Sequence, residues 1–374
     1  MEIGVERYRG AAIPQLSTRF SPSLSAFLPR TIFWRGLMDP FALTRSLVDI
    51  ESVTGREKAV GEFLFATLGQ LAVATGGNVE RMHVAPDRFN VLATWGQPTV
   101  VLSTHMDTVP PFFPSSEDSE FLRGRGACDA KGIVAAMICA ARQLCAAGTR
   151  NFGLLLVVGE EKDSLGAFTA AKHSCGARFL INGEPTENKL ALGSKGALRF
   201  VLTARGRLAH SAYPELGDSA IERLLDALEA VRRLPLPHDA LLGKSTLNIG
   251  TISGGRAPNV IADEARADLM FRTVGDPDLI RAAMRSALDG HVELQEELYT
   301  EALRLEAVPG FETTVVAYTT DIPNFGGAWG KPLLIGPGTI HVAHTAEERI
   351  PKKELVAAIG IYSRLVQRLL AGAV

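Results

Sequence analysis

TVVLSTHMD, Thr99–Asp107, is an apolar run that stops on a histidine and an aspartate two residues apart. Val100–Ser103 is short and rich in Val and Leu, which fits a strand buried on both faces. The same pattern recurs downstream. LLLVVGEEKD (Leu154–Asp163) closes an apolar run on two adjacent glutamates, and FLINGEPT (Phe179–Thr186) closes one on Glu184. GRGACDAKG (Gly124–Gly132) sets Asp129 ahead of an Ala-rich helix, and PGTIHVAHTAEE (Pro337–Glu348) adds His341 and His344. Open parallel sheets bind ligands at the carboxyl ends of their strands, which is where His105, Glu160, Glu161 and Glu184 fall.

Around these pieces the chain reads as two domains. Its 374 residues exceed the usual size of one core. Asp39 and Pro40 start a helix Pro40–Asp49, a turn at Ser52–Gly55 follows, and a second helix runs through Leu71. Asn90–Thr94, Val100–Ser103, Leu154–Val158 and Phe179–Ile181 are buried strands, and Lys131–Ala147 is a helix started by Asp129. That alternation predicts an α/β layer with a mainly parallel sheet flanked by helices. Between residues 194 and 304 the pattern becomes β-α-β-β-α-β: strands Ala197–Ala204, Ser245–Ile252, Ala262–Thr273 and Val292–Leu298, helices Asp218–Leu234 and Pro277–Leu288. This is a ferredoxin-like insertion. The α/β style returns from Glu312 and ends on the helix Lys353–Leu370. The expected domains are therefore 38–193 with 305–374, and 194–304. Residues 1–37 lack an apolar signal-peptide core and are expected to be a disordered tail, or to precede a natural start at Met38.

Composition excludes several classes. A net charge of −2 with no basic stripe argues against nucleic acid. No apolar run reaches membrane-spanning length. The four cysteines, Cys128, Cys139, Cys145 and Cys175, form no C-x-x-C pair and fit a reduced, cytoplasmic protein. Gly243-Lys-Ser245 is no P-loop, because His238 stands where the first glycine is needed.

Each ligand-type residue has an ordinary explanation when taken singly. His105 would be a bonded core histidine, Asp129 a helix cap, Gly124–Gly126 a turn, and Glu160–Glu161 a solvated loop. All of these would have to hold together. Adjacent buried carboxylates repel unless protons or cations intervene, so two divalent cations are the simplest compensation.

In H-x-D-x-V-P, G-R-G-x-x-D-x-K-G and G-E-E, the chain from Met38 onward resembles the dinuclear zinc amidohydrolases that include acetylornithine deacetylase, succinyl-diaminopimelate desuccinylase and carboxypeptidase G. The resemblance implies a catalytic domain carrying a ferredoxin-like lid through which such proteins dimerise. It makes His105 and Glu184 ligands of one ion, Glu161 and His344 ligands of the other, and Asp129 the bridge. Zinc is the expected metal, with cobalt or manganese as alternatives. Asp107 would orient the His105 imidazole and Glu160 would be the general base. The G-P-G-x-x-x-x-A-H-x-x-x-E pattern favours His344 over His341, which echoes the T-I-H ending of the desuccinylases. In the lid, His210 matches a histidine that reaches a neighbouring site to hold the oxyanion, and Asn259 and Arg272 match substrate contacts. Ala262 departs from the proline often found there.

The implied reaction is hydrolysis of an N-acyl amino acid amide, acetylornithine deacetylase-like and so placed in amino-acid biosynthesis. The alternatives are a desuccinylase, a carboxypeptidase or dipeptidase acting on short peptides, and an inactive binding homologue, against which the presence of Glu160 and Asp129 argues.

Overall fold

The computed structural model describes residues 39–288, 290 and 292–372, together with the backbone of Val5–Tyr8. Apart from that strand, the expectation for residues 1–37 lies outside the described residues. Two compact units form: Met1–Ala191 with Leu305–Thr314 and Thr320–Val374, and Leu192–Arg304 with Val315–Thr319. Among the described residues no helix is long and apolar enough to cross a membrane.

The first unit is built on a seven-stranded sheet, in the order Val5–Tyr8, Asn78–Ala85, Arg88–Trp95, Phe152–Val157, Val100–His105, Phe179–Asn182, Lys331–Leu334. The last four are parallel neighbours and the first three add antiparallel strands. Asn78–Ala85 is not among the strands read from the sequence: its Arg, Glu and His leave too few apolar positions to mark it. The apolar runs are continuous because both faces of the sheet are covered. Leu154 and Leu156 enter the large core with Val100 and Leu102. Leu155, Val157 and Val101 point the other way, toward Phe325 and Trp329. The period of two in a strand accounts for this split.

Helix Lys131–Ala146 is buried on every side from Lys131 to Ala141, packed against the sheet, Pro40–Val48 and Lys352–Leu370. A helix apolar around its whole circumference belongs inside, and its alanines allow the close approach. Asp129 does not start it as a cap, contrary to expectation. Ala130 takes the capping position, no side chain bonds the first turn, and the Asp129 carboxylate is instead engaged by two histidines.

The second unit has a four-stranded antiparallel sheet, ordered Thr246–Gly254, Glu264–Thr273, Gly196–Arg205, Val292–Thr300. Leu198, Phe200, Leu202 and Ala204 alternate inward against Ala265, Ala267, Leu269 and Phe271. Helices Ala220–Arg232 and Pro277–Ala287 cover that face through Leu224, Leu228, Ile280 and Met284.

One buried amide ties sheet to loop in the first unit. Asn90 Oδ1 accepts from the Val158 N–H at 3.2 Å, and its Nδ2 donates to the Gly166 carbonyl at 2.8 Å. Val158 directly precedes the Gly159–Glu161 turn. Asn90→Ala strands a buried donor and a buried acceptor, so urea unfolding of the chelated protein should show a loss of about 2–4 kcal/mol. A loss below about 0.5 kcal/mol, the range of an ordinary surface change, would refute this role.

Candidate metal centre

Parallel pairing brings the ligand-bearing segments together. Val100–His105 lies between Phe152–Val157 and Phe179–Asn182, with His105 opposite Val157 and Ser103 opposite Asn182. The turns that follow the three strands therefore leave the sheet side by side, carrying His105, Glu160–Glu161 and Glu184. Asp129 comes from the turn before the buried helix, and His344 from a late loop where it adopts a left-handed backbone, φ 64°.

Asp129 is the common partner. Its Oδ1 lies 3.0 Å from His105 Nε2 and its Oδ2 lies 3.4 Å from His344 Nε2. His344 Nε2 is also 2.9 Å from Glu161 Oε2. Donor atoms of His105, Asp129 and Glu161 all fall within 4.8 Å of one another. His344, itself half-exposed, meets this cluster through Asp129 and Glu161, whereas His341 lies in the turn Ile340–Val342 with neither among its described contacts.

The His105 ring is fixed by a carbonyl. Its Nδ1 is 3.0 Å from the Asp107 backbone oxygen, and 3.5 Å from the Asp107 Oδ1. A carbonyl and a carboxylate only accept, so Nδ1 donates to the Asp107 oxygen and Nε2 to Asp129; Nε2 must give up its proton before it can face a cation, while Nδ1 keeps its own and holds the ring in place. The Asp107 carboxylate has a further task that the sequence does not reveal. Its Oδ1 accepts from the Glu160 N–H and its Oδ2 from the Glu161 N–H, both at 3.2 Å, and Oδ2 also takes the Thr54 hydroxyl at 2.7 Å. Asp107 thus anchors the glutamate turn. From the other side Arg88 spans Glu57, at 2.7 and 3.0 Å, and Asp163, at 3.1 Å.

The electrostatics show strong crowding. Burial, then the charge of Glu184, push the Glu160 carboxyl well above the usual range. Burial, then Asp129 and Glu161, do the same to Glu184, whose Oε1 is buried without a hydrogen-bond partner. Asp129 moves the other way: burial opposes its charge, but hydrogen bonds with His105 and His344 outweigh it. Burial likewise opposes charge on His105, yet its bonds to Asp107 and Asp129 hold its pKa well up. His344 is raised to about 10 by its bonds to Asp129 and Glu161.

Two buried acids, Asp321 and Glu348, stand in stretches that the sequence reading named but to which it gave no role. Asp321 is pushed up to about 6 by burial, and its Oδ2 has no partner. It influences Glu160 and Glu184 electrostatically, but nothing in its TTD setting separates it from a turn residue. Glu348 bonds the turn that carries Asp129.

The second unit holds the other three candidates. His210 is bridged to Val260, and Ser211 N–H donates to the Asn259 carbonyl at 3.0 Å, so His210 and Asn259 lie together and exposed. Arg272 lies elsewhere, near the opposite end of Glu264–Thr273, paired with Ala197 and Thr246. Its guanidinium is half-buried; the one described bond is a long one, 3.5 Å, to Thr319 Oγ1, with no carboxylate among the described residues.

Comparison with known proteins supplies the family. Residues 101–368 match peptidase family M20/M25/M40. A peptidase M20 domain-containing protein of Schizosaccharomyces pombe is 41% identical over 337 residues, covering 87% of this chain and 83% of that protein. A probable carboxypeptidase of Aspergillus niger is 37% identical over 365 residues, 86% of this chain and 88% of its own length. Among solved structures, an M20 family metallo-carboxypeptidase from Sulfolobus solfataricus shares the fold with a TM-score of 0.70 at 17% identity, covering 88% of this chain and 98% of that one. The family match opens inside the strand ending on His105 and takes in every candidate ligand. The chain belongs to peptidase family M20/M25/M40.

Proposed function

We propose that this chain is a metal-dependent hydrolase of carboxypeptidase type, cutting the amide that joins a short peptidyl or acyl group to an amino acid with a free carboxylate. The observation that carries this reading is the Asp129 carboxylate, which offers one oxygen to each of two histidines beside an acidic cluster. The donor set suits two divalent cations: one imidazole and one glutamate on each side of Asp129, with a buried Glu184 oxygen that has nothing to bond. His105 and Glu184 would hold one ion, Glu161 and His344 the other, with Asp129 between them. Zinc fits these ligands, as do cobalt and manganese. When bound, such ions act as Lewis acids and make water acidic enough to lose a proton near neutrality.

The side chains then have distinct tasks. Glu160 takes a proton from the attacking water and returns it to the leaving amine nitrogen. Asp107 holds the Glu160–Glu161 turn through both backbone N–H groups, which keeps the base in register with the ligands beside it. Arg272, lacking a carboxylate of its own, takes that of the substrate through a two-pronged fork. Relatives named as carboxypeptidases support peptide substrates over the acetylornithine deacetylase-like specificity expected from GEPT and the late histidine motif. Both substrates present the same bond, an amide to an amino acid bearing a carboxylate.

His210, with Asn259, is assigned to the active site of a second copy. From Glu264 to Arg272 an extended strand covers roughly 26 Å, and His210 lies beyond the start of that strand. One small substrate cannot touch both ends, which supports a homodimer in which His210 steadies the developing oxyanion of its neighbour.

Three measurements test this. Two zinc ions should bind per chain, and binding should release protons, because His105, His344 and Glu184 are raised and hold protons that the metal must displace. Affinity should therefore rise with pH up to the His344 value of about 10. Calorimetry in buffers of different ionisation enthalpy reads this release directly; heats that do not depend on buffer would contradict it. Glu160→Gln should keep its zinc yet lose almost all turnover. Mixed with an equally inactive His210→Ala chain it should regain about a quarter of the wild-type rate, since half the dimers carry one whole site. A mixture that stays dead rejects the shared site. Finally, blocked dipeptides with a free carboxyl end should be cleaved and their amides should lose roughly 10- to 100-fold in kcat/KM, the worth of a charged hydrogen-bonded contact. N-acetylornithine and N-succinyl-diaminopimelate belong in the same panel. Equal cleavage of acids and amides would overturn the carboxypeptidase reading.

A further inference from the structure

Glu348 lies four residues beyond His344 and is almost wholly buried, 1% exposed. Its carboxylate reaches across to the other ligand-bearing turn. Oε1 accepts three backbone N–H groups, from Gly126 at 2.9 Å, Cys128 at 3.2 Å and Asp129 at 3.1 Å. Oε2 takes the Arg125 guanidinium at 2.5 Å. The Glu348 backbone carbonyl accepts from Gly124 N–H at 3.2 Å, and the next residues, Arg349 and Ile350, pair with Arg123 and Leu122. Arg125 is itself buried, donating to the Pro111 carbonyl at 3.2 Å with its guanidinium over the Phe113 ring.

Two features make this more than a core ion pair. Three N–H dipoles converge on one oxygen, a concave backbone cradle that calls for an anion. A neutral amide oxygen has two lone pairs and no net charge, so it fills such a cradle poorly. The cradle also ends on Asp129 itself, while the acceptor is tethered four residues from His344. One side chain therefore sets the spacing between the bridging carboxylate and the imidazole that faces it.

We propose that Glu348 is a positioning residue that binds the Gly124–Asp129 turn to the His344 loop, so that Asp129 and His344 are set for a metal ion before one arrives. The inference rests on the metal-binding reading given above. A Glu348→Gln chain keeps the volume but sets an NH2 group against the Arg125 guanidinium and weakens the cradle. Arg125→Gln leaves the three N–H bonds in place and removes the outer partner, together with its Pro111 bond and Phe113 contact.

The experiment is zinc binding to the chelator-stripped full chain, read by competition with a chromophoric chelator, beside thermal unfolding of the metal-free proteins. Glu348→Gln should lose 10- to 100-fold in zinc affinity, the scale of a lost partner behind a metal ligand. Arg125→Gln should lose less than Glu348→Gln. A role confined to packing predicts instead a lower unfolding temperature with unchanged zinc affinity, and that result overturns the proposal. If Glu348→Gln does not fold, amide hydrogen exchange of the metal-free wild type decides. The Gly126, Cys128 and Asp129 N–H groups should exchange at least 100-fold slower than in an unstructured chain, and rates near the unstructured ones refute a preset turn. A wild-type chain that takes up no zinc overturns the metal reading itself, whereas wild-type uptake matched by Glu348→Gln overturns only this inference.

Discussion

Mutual repulsion among buried carboxylates is the constraint around which the first unit is organised. Glu160, Glu161, Glu184 and Asp321 are all raised, mainly by burial, and act on one another across a small volume. Such a cluster would spread apart in a flexible protein. Here it is held on turns that leave adjacent parallel strands, each strand gripped on both faces by an apolar core. Core stability thus holds these carboxyls where burial and their neighbours oppose ionisation, a state that divalent cations would relieve.

The turns are kept in place by side-chain acceptors more than by regular structure. Asp107 takes two successive N–H groups of the glutamate turn, Glu348 takes three of the Asp129 turn, and Asn90 joins Val158 to Gly166. Around them, Arg88 spans Glu57 and Asp163. Each is buried or nearly so, and each connects segments far apart in sequence. On the proposed metal-binding reading, side chains on such supported turns would need little rearrangement to receive an ion.

The second unit plays a different part. Its sheet presents His210 and Asn259 beyond one end of the strand Glu264–Thr273 and Arg272 near the other. That separation follows from extended backbone geometry alone. On the proposed reading, that separation is what assigns His210 and Arg272 to different active sites.

Much of this was legible in the chain itself. Apolar runs marked four strands of the first sheet because burial on both faces leaves few polar residues within them, and alternation marked the antiparallel sheet because only one of its faces is covered. The ligand-type residues were legible because chemistry restricts which side chains can hold a cation. Asn78–Ala85 escaped because its sequence is too polar to announce a strand. The tertiary structure alone decided what depends on contacts between distant segments: that Asp129 faces two histidines and caps no helix, and that Asp107 and Glu348 hold backbone N–H groups 53 and about 220 residues away. Local sequence encodes which face of an element is apolar; it carries no record of which remote turn a carboxylate will meet once the strands have paired.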